Sequence, residues 1–185
     1  MLLGENPWVL IGLTLLEIIF IIVPAFITSK FERKPFKEII IEMGFQKNED
    51  VFLKIISGLS ISIVFFFLSG YILAFFRDII VGSIFGAEFI MDAQEGSINT
   101  TPIQPNFTQL IILIVLQIMI VGPCEEGFFR GFLIKKLKVK LKLIYSIIIS
   151  SIVFTLYHVP PFLVPITTIL TFSGYYFTFG LLLSL

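Results

Sequence analysis

The sequence predicts an all-α fold, a polytopic transmembrane helical bundle of about five spans, and three observations predict it. Hydrophobic residues make up 57% of the 185 residues and charged ones 14%, and the mean hydropathy of +1.02 lies outside the range of soluble domains. The apolar residues gather in runs close to the 20 or so that a helix needs to cross a bilayer. The alternating ten-residue strands of a membrane β-barrel are absent from the pattern.

The first run, 9–27, follows an N-terminus, MLLGENPWVL, without the Lys or Arg of a signal peptide's first region. With a run too long for a cleaved leader, it is expected to be a retained span. The other four runs are 55–76, 110–133, 143–159 and 162–185. Lys30, Arg33, Lys34, Lys37, Lys47 and Lys54 separate the first two, and Lys135, Lys136, Lys138, Lys140 and Lys142 separate the third and fourth. The stretch from Arg77 to Gln109 carries acids instead (Asp78, Glu88, Asp92, Glu95). The positive-inside rule then puts the first and third connections in the cytoplasm and the N-terminus outside, in the cell membrane. The second connection ends in a turn-rich stretch, SINTTPIQPN, with two glycosylation-type triplets at Asn99 and Asn106, a pattern frequent by chance.

The first connection, from Phe31 to Lys54, mixes charge with Ile39, Ile40, Ile41, Met43 and Phe45. It reads either as an amphipathic helix on the membrane surface or as a solvated linker. Net charge is zero and no basic stripe runs along the chain, which leaves membrane lipids rather than nucleic acid as the expected surroundings. Cys124 is the only cysteine, so no internal disulfide forms and no Cys/His zinc cluster is available.

The third run contains VGPCEEGFFRG, residues 121–131, where two acids and an arginine interrupt an apolar helix. An ionised side chain in lipid costs at least about 2.5 to 3.5 kcal/mol, so Glu125, Glu126 and Arg130 are expected to face inward or into a wet cavity. Glu126 and Arg130, four apart, share a helix face and can pair. Glu125 lies about 100° around the axis and is freer. Pro123 removes the donor for the Met119 carbonyl and opens the helix just before the acids. Gly127 and Gly131 form a GxxxG spacing that lets another element approach closely.

The fourth run ends in FTLYH, residues 154–158, with the chain's only histidine followed by Pro160 and Pro161. His158 is therefore expected in the last helical turn, where it either caps backbone carbonyls or does chemistry. Counted at 1.5 Å per residue, Glu125 and His158 lie about 15 Å and 23 Å from the lysine-rich edge they share, a difference that helix tilt absorbs. A carboxylate and an imidazole on consecutive antiparallel helices can hold a water between them, the minimum equipment for hydrolysis.

These residues resemble the CPBP intramembrane proteases, also called the Abi family, which include CAAX prenyl endopeptidases and bacteriocin-processing and self-immunity proteins. That family's first two motifs, EExxxR and FxxxH, read here as Glu125 to Arg130 and Phe154 to His158, and the resemblance extends over roughly 36–185. It implies a membrane domain from 36 onward, preceded in 1–35 by a span and the start of its connection. It also implies that Glu125 and His158 activate the attacking water while Glu126 and Arg130 support the site, and that the substrate is a membrane-associated peptide or prenylated protein. A divalent metal is an open possibility for the family; without HExxH, one histidine and two carboxylates form a poor zinc set.

The family's later His-x-x-x-Asn/Asp motif, thought to stabilise the oxyanion or complete a metal site, has no counterpart before Leu185. The chain is therefore expected to be C-terminally incomplete, or to use Tyr157, Ser173 or Tyr175 in its place, or to be an inactive relative acting as an immunity or membrane-binding protein. A different class of reading, a transporter or channel using Glu17, Glu125 and Glu126 as a proton or cation path, rests on Glu17 in the middle of the first run.

Overall fold

A computed structural model describes residues 7–46, 51–96, 106–162 and 166–184, which are helical almost throughout and contain no strand. Lys47, the Asn99 triplet and Leu185 lie outside the described residues, as do the side chains of Lys54, Asp92 and Glu95. The helices are α1 (Pro7–Leu16), α2 (Ile19–Glu32), α3 (Phe36–Glu42), α4 (51–85), α5 (Ala87–Gly96), α6 (Phe107–Lys138), α7 (Leu143–His158) and α8 (Ile166–Leu182). They divide into two compact units that alternate along the chain, one drawn from 1–46 and 100–146, the other from 47–99 and 147–185.

Among the described residues, three helical segments are long and apolar enough to cross a membrane: Ile11–Glu32, Ile63–Phe85 and Phe107–Lys138. The last two expected spans are shorter apolar helices, Leu143–His158 and Thr168–Leu182. The all-α bundle expected from the sequence is thus present, its five apolar stretches forming three long helices and two shorter ones among the described residues. Chain chemistry accounts for α7: a lysine-rich turn precedes it, and Pro160 and Pro161 prevent its continuation.

The second long segment also ends later than expected, at Phe85 rather than Phe76. Arg77 Nε donates to Asp78 Oδ1 at 2.6 Å, which neutralises the two charges within the helix. Gly86, at φ 88°, a conformation natural to glycine, stops it.

In the first unit, α1 and α2 both pack along α6. Asn106 caps α6, accepting from the Gln109 N–H at 2.9 Å while Gln109 Oε1 accepts from the Asn106 N–H at 3.0 Å. That capping box employs the side chain that had read as part of a glycosylation triplet. The connection after α2 turns at Arg33, which adopts a left-handed conformation at φ 56°, and α3 follows. Ile39 and Met43 bury themselves against Ile21, Ala25 and Cys124, so this part of the connection is a helix docked on the protein's own core, in place of the membrane-surface helix or the solvated linker expected.

In the second unit, α8 packs against α4 and α5. Gly174 allows the closest of these approaches, since a Cβ there would overlap the Phe76 ring. Ser150, Ser151 and Thr155 are buried on α7. Ser151 Oγ donates to the Ile147 carbonyl at 2.9 Å and Thr155 Oγ1 to the Ser151 carbonyl at 2.8 Å, so the hydroxyls of Ser151 and Thr155 are satisfied on their own helix.

Candidate active site

The acidic motif lies on α6 where its backbone leaves the regular α register. Gln117–Val121 and Glu126–Leu133 are π-helical, with Gly122–Glu125 between them. The Gly122 N–H reaches back to the Gln117 carbonyl, a five-residue step. The opening expected at Pro123 thus takes the form of widened turns rather than a broken helix, an irregularity that recurs at functional sites.

Within this stretch the charged side chains divide as their spacing requires. Arg130 Nη1 lies 3.4 Å from Glu126 Oε1, an i,i+4 pair, and the guanidinium also sits 5.9 Å from the centroid of the Phe129 ring. Arg130 is largely buried, with its side chain 12% exposed, whereas Glu126 keeps 49% of its side-chain surface. Of the three charges expected to face inward or into a wet cavity, Glu125 and Arg130 are partly or largely buried and Glu126 is the exposed one. Adjacent residues point about 100° apart on a helix, so Glu125 and Glu126 cannot share one interior direction. Glu125 is partly buried and feels the charges of Glu17, Arg130 and Glu126.

The two glycines bring in a neighbour, as their spacing implied, but that neighbour is not another full-length span alone. A Cβ on Gly127 would come within 2.6 Å of Phe45 Cε2 and 2.9 Å of Ile21 Cδ1, and one on Gly131 would collide with the Met43 carbonyl. The turn after α3 therefore seats directly on the helix that bears the acids. Ionic contacts fix it there: Lys34 Nζ lies 2.5 Å from Glu42 Oε1, Lys136 Nζ 2.6 Å from Glu32 Oε1 and 3.4 Å from Glu42 Oε2. Lys135 Nζ donates to the Glu42 carbonyl oxygen. The Lys34 ammonium bonded to Glu42 holds that carboxyl below the usual carboxylate range, and the charge of Lys136 acts in the same direction. A cavity of about 270 Å³ opens among Glu32, Lys34, Glu42, Phe132 and Lys136.

In the second unit, α7 ends at His158, in the last turn as its prolines require. His158 Nδ1 lies 3.0 Å from the Phe154 carbonyl oxygen. A carbonyl only accepts, so Nδ1 carries the proton in this bond and Nε2 of the neutral ring keeps its lone pair. Phe154, the first residue of the FxxxH pattern, thus orients the ring both through its backbone and through its side chain, whose centroid lies 4.2 Å away.

Tyr176 also stacks on the ring, with centroids 4.7 Å apart and planes 26° apart. The sequence had pointed to Tyr157, Ser173 and Tyr175. Tyr157 meets His158 edge-on at 4.9 Å, while the Tyr175 ring packs against Phe179 and Tyr176. No signal in the sequence singled out Tyr176; the packing does, since Gly180 abuts Ser151 and Phe154 and one turn earlier on α8 meets one turn later on α7.

Among the described residues, no group of three or more His, Cys, Asp or Glu side chains stands at metal-holding separation. Among these residues the donor set falls short of the three protein ligands of a catalytic zinc.

No curated protein and no solved structure matches the chain. Residues 107–185 match the family model described as Rce1-like, type II CAAX prenyl endopeptidase. The match starts at the first residue of α6 and leaves α1 to α5 outside it. It contains both the Glu125–Arg130 and the Phe154–His158 motifs, so this stretch is similar to a family of peptidases, and it begins with one of the three described helices long and apolar enough to cross a membrane.

Proposed function

We propose that the chain is an intramembrane endopeptidase of the CAAX type, cleaving a membrane-associated or prenylated substrate. The observation that carries this reading is the family match over 107–185, which takes in EExxxR and FxxxH in order and at their spacing. In the reaction, Glu125 accepts a proton from a water that His158 holds through Nε2. The resulting hydroxide adds to the scissile carbonyl, and the tetrahedral intermediate collapses as the acquired proton passes to the departing amine. Arg130 keeps the charge of Glu126 occupied, which leaves Glu125 as the base. Hydroxyls of Tyr157, Ser173 or Tyr175 are the candidates to stabilise the oxyanion, a contribution worth about 100-fold or more.

An apolar groove of about 310 Å³ lined by Ile152, Leu156, Gly174 and Phe177 supports a hydrocarbon substituent as part of the substrate. The test uses purified protein in proteoliposomes with a farnesylated CaaX peptide, the C-terminal tripeptide being detected by mass spectrometry. Cleavage that disappears in Glu125→Ala and in His158→Ala supports the reading. Cleavage no greater than that of Glu125→Ala sinks it.

A further inference from the structure

Glu17 is an acid in the first apolar run that the proposed reaction leaves without a role. It sits where the first span loses its helical register. The Glu17 N–H bonds the Thr14 carbonyl at 3.2 Å and the Ile18 N–H bonds the Leu15 carbonyl at 3.3 Å, before four-residue steps resume from Ile18 to Ile22. Neither Pro nor Gly occupies this break; its polar residue is Glu17.

The packing on α6 fixes what the break faces. Helix α1 runs along 107–121 and α2 along 122–133, so the two segments run parallel to α6. Two contacts set the register. The Phe20 ring lies 5.3 Å from the Phe128 ring, and Ile21 Cδ1 lies 2.9 Å from where a Gly127 Cβ would be. Glu17, one turn before Ile21, therefore lies level with Pro123 and Cys124, one turn before Gly127. Both Cys124 and Glu125 feel its charge, and Ile21 and Cys124 belong to one buried cluster.

We infer that Glu17 is a positioning residue for Glu125, acting across the break between α1 and α2 on the helix that carries the acidic motif; the inference rests on the peptidase reading above. The charged groups acting on Glu125 are Arg130, which attracts it, and Glu17 and Glu126, which repel it. In a medium of low dielectric, such repulsion disfavours side-chain rotamers that bring two carboxylates together. Glu17 thereby narrows the rotamers open to Glu125 and keeps its carboxylate directed away from α1. This role belongs to a residue outside the matched family segment.

Two measurements test it. The first does not depend on activity: in Glu17→Cys, the new thiol and Cys124 are joined by a short bifunctional maleimide in native membranes, and cleavage between the two positions leaves the fragments linked. The second compares Glu17→Gln, which keeps the shape and removes the charge, with Glu17→Asp, which keeps the charge. Glu17→Gln is expected to lower kcat about tenfold with little change in KM, the size of a coupling between neighbouring charged side chains, and Glu17→Asp to restore most of it. Absence of the cross-link, or equal kcat in Glu17→Gln and the parent, overturns this inference while leaving the peptidase reading standing. Absence of cleavage by the parent protein itself overturns the peptidase reading, and the positioning role with it.

Discussion

Glu125 and Glu126 are neighbours in sequence with different surroundings, and substitutions should separate them. Replacing Glu125 by Gln is expected to reduce peptide cleavage by about 100-fold to 10,000-fold, the range for loss of a general base. Replacing Glu126 by Gln removes the partner 3.4 Å from Arg130 and leaves the base in place, so a smaller loss, about tenfold, is expected; kcat/KM for one prenylated peptide checks the order.

The glycines are a second pair to separate at this scale. Gly131→Ala drives a methyl into the Met43 backbone carbonyl, which cannot swing aside, and should destabilise by about 1 to 3 kcal/mol. Gly127→Ala meets the edge of the exposed Phe45 ring, which can swing aside, and the flexible end of the buried Ile21, which must shift slightly. Its cost should be smaller, partly offset by the higher helix propensity of Ala. Thermal unfolding in detergent compares the two.

At the scale of elements, α3 is a helix of seven residues, too short to persist alone in water. It is held by Ile39 and Met43 and by the ion pairs of Glu42 with Lys34 and Lys136. Because the Glu42 carboxyl is held below its ordinary range by its bond to Lys34, its contribution is present above the unfolded-state value and lost as pH falls through the folded one. Docking of α3 is therefore expected to weaken below about pH 4.3, with proteolysis near Gly44 accelerating there. Glu42→Gln should cleave at a rate independent of pH over that range. Each pair is partly exposed and worth no more than about 1 kcal/mol, so the effect should be confined to α3.

At the scale of the whole molecule, the distribution of lysines predicts that the N-terminus faces outside and that Lys37 and Lys140 face the cytoplasm. Single cysteines placed at these positions in a Cys124→Ser background should react with an impermeant maleimide only after the cytoplasmic face is opened. Labelling in intact cells would reverse the orientation.

The sequence by itself determined the helical class, the membrane setting, the acidic motif and the place of His158 at a helix end. Each of these follows from local information: hydropathy over a helix length, residue spacing, and the conformational restriction of proline. Tertiary packing alone decided the rest. It made a docked helix of the first connection, because Ile39 and Met43 found Ile21, Ala25 and Cys124 to cover them. It left Glu126 half exposed, stacked Tyr176 on His158, and brought Phe20 and Ile21 of the first span to Phe128 and Gly127. Such pairings join residues that are distant in sequence, and the register that creates them comes from which side chains fit together as the helices close on one another.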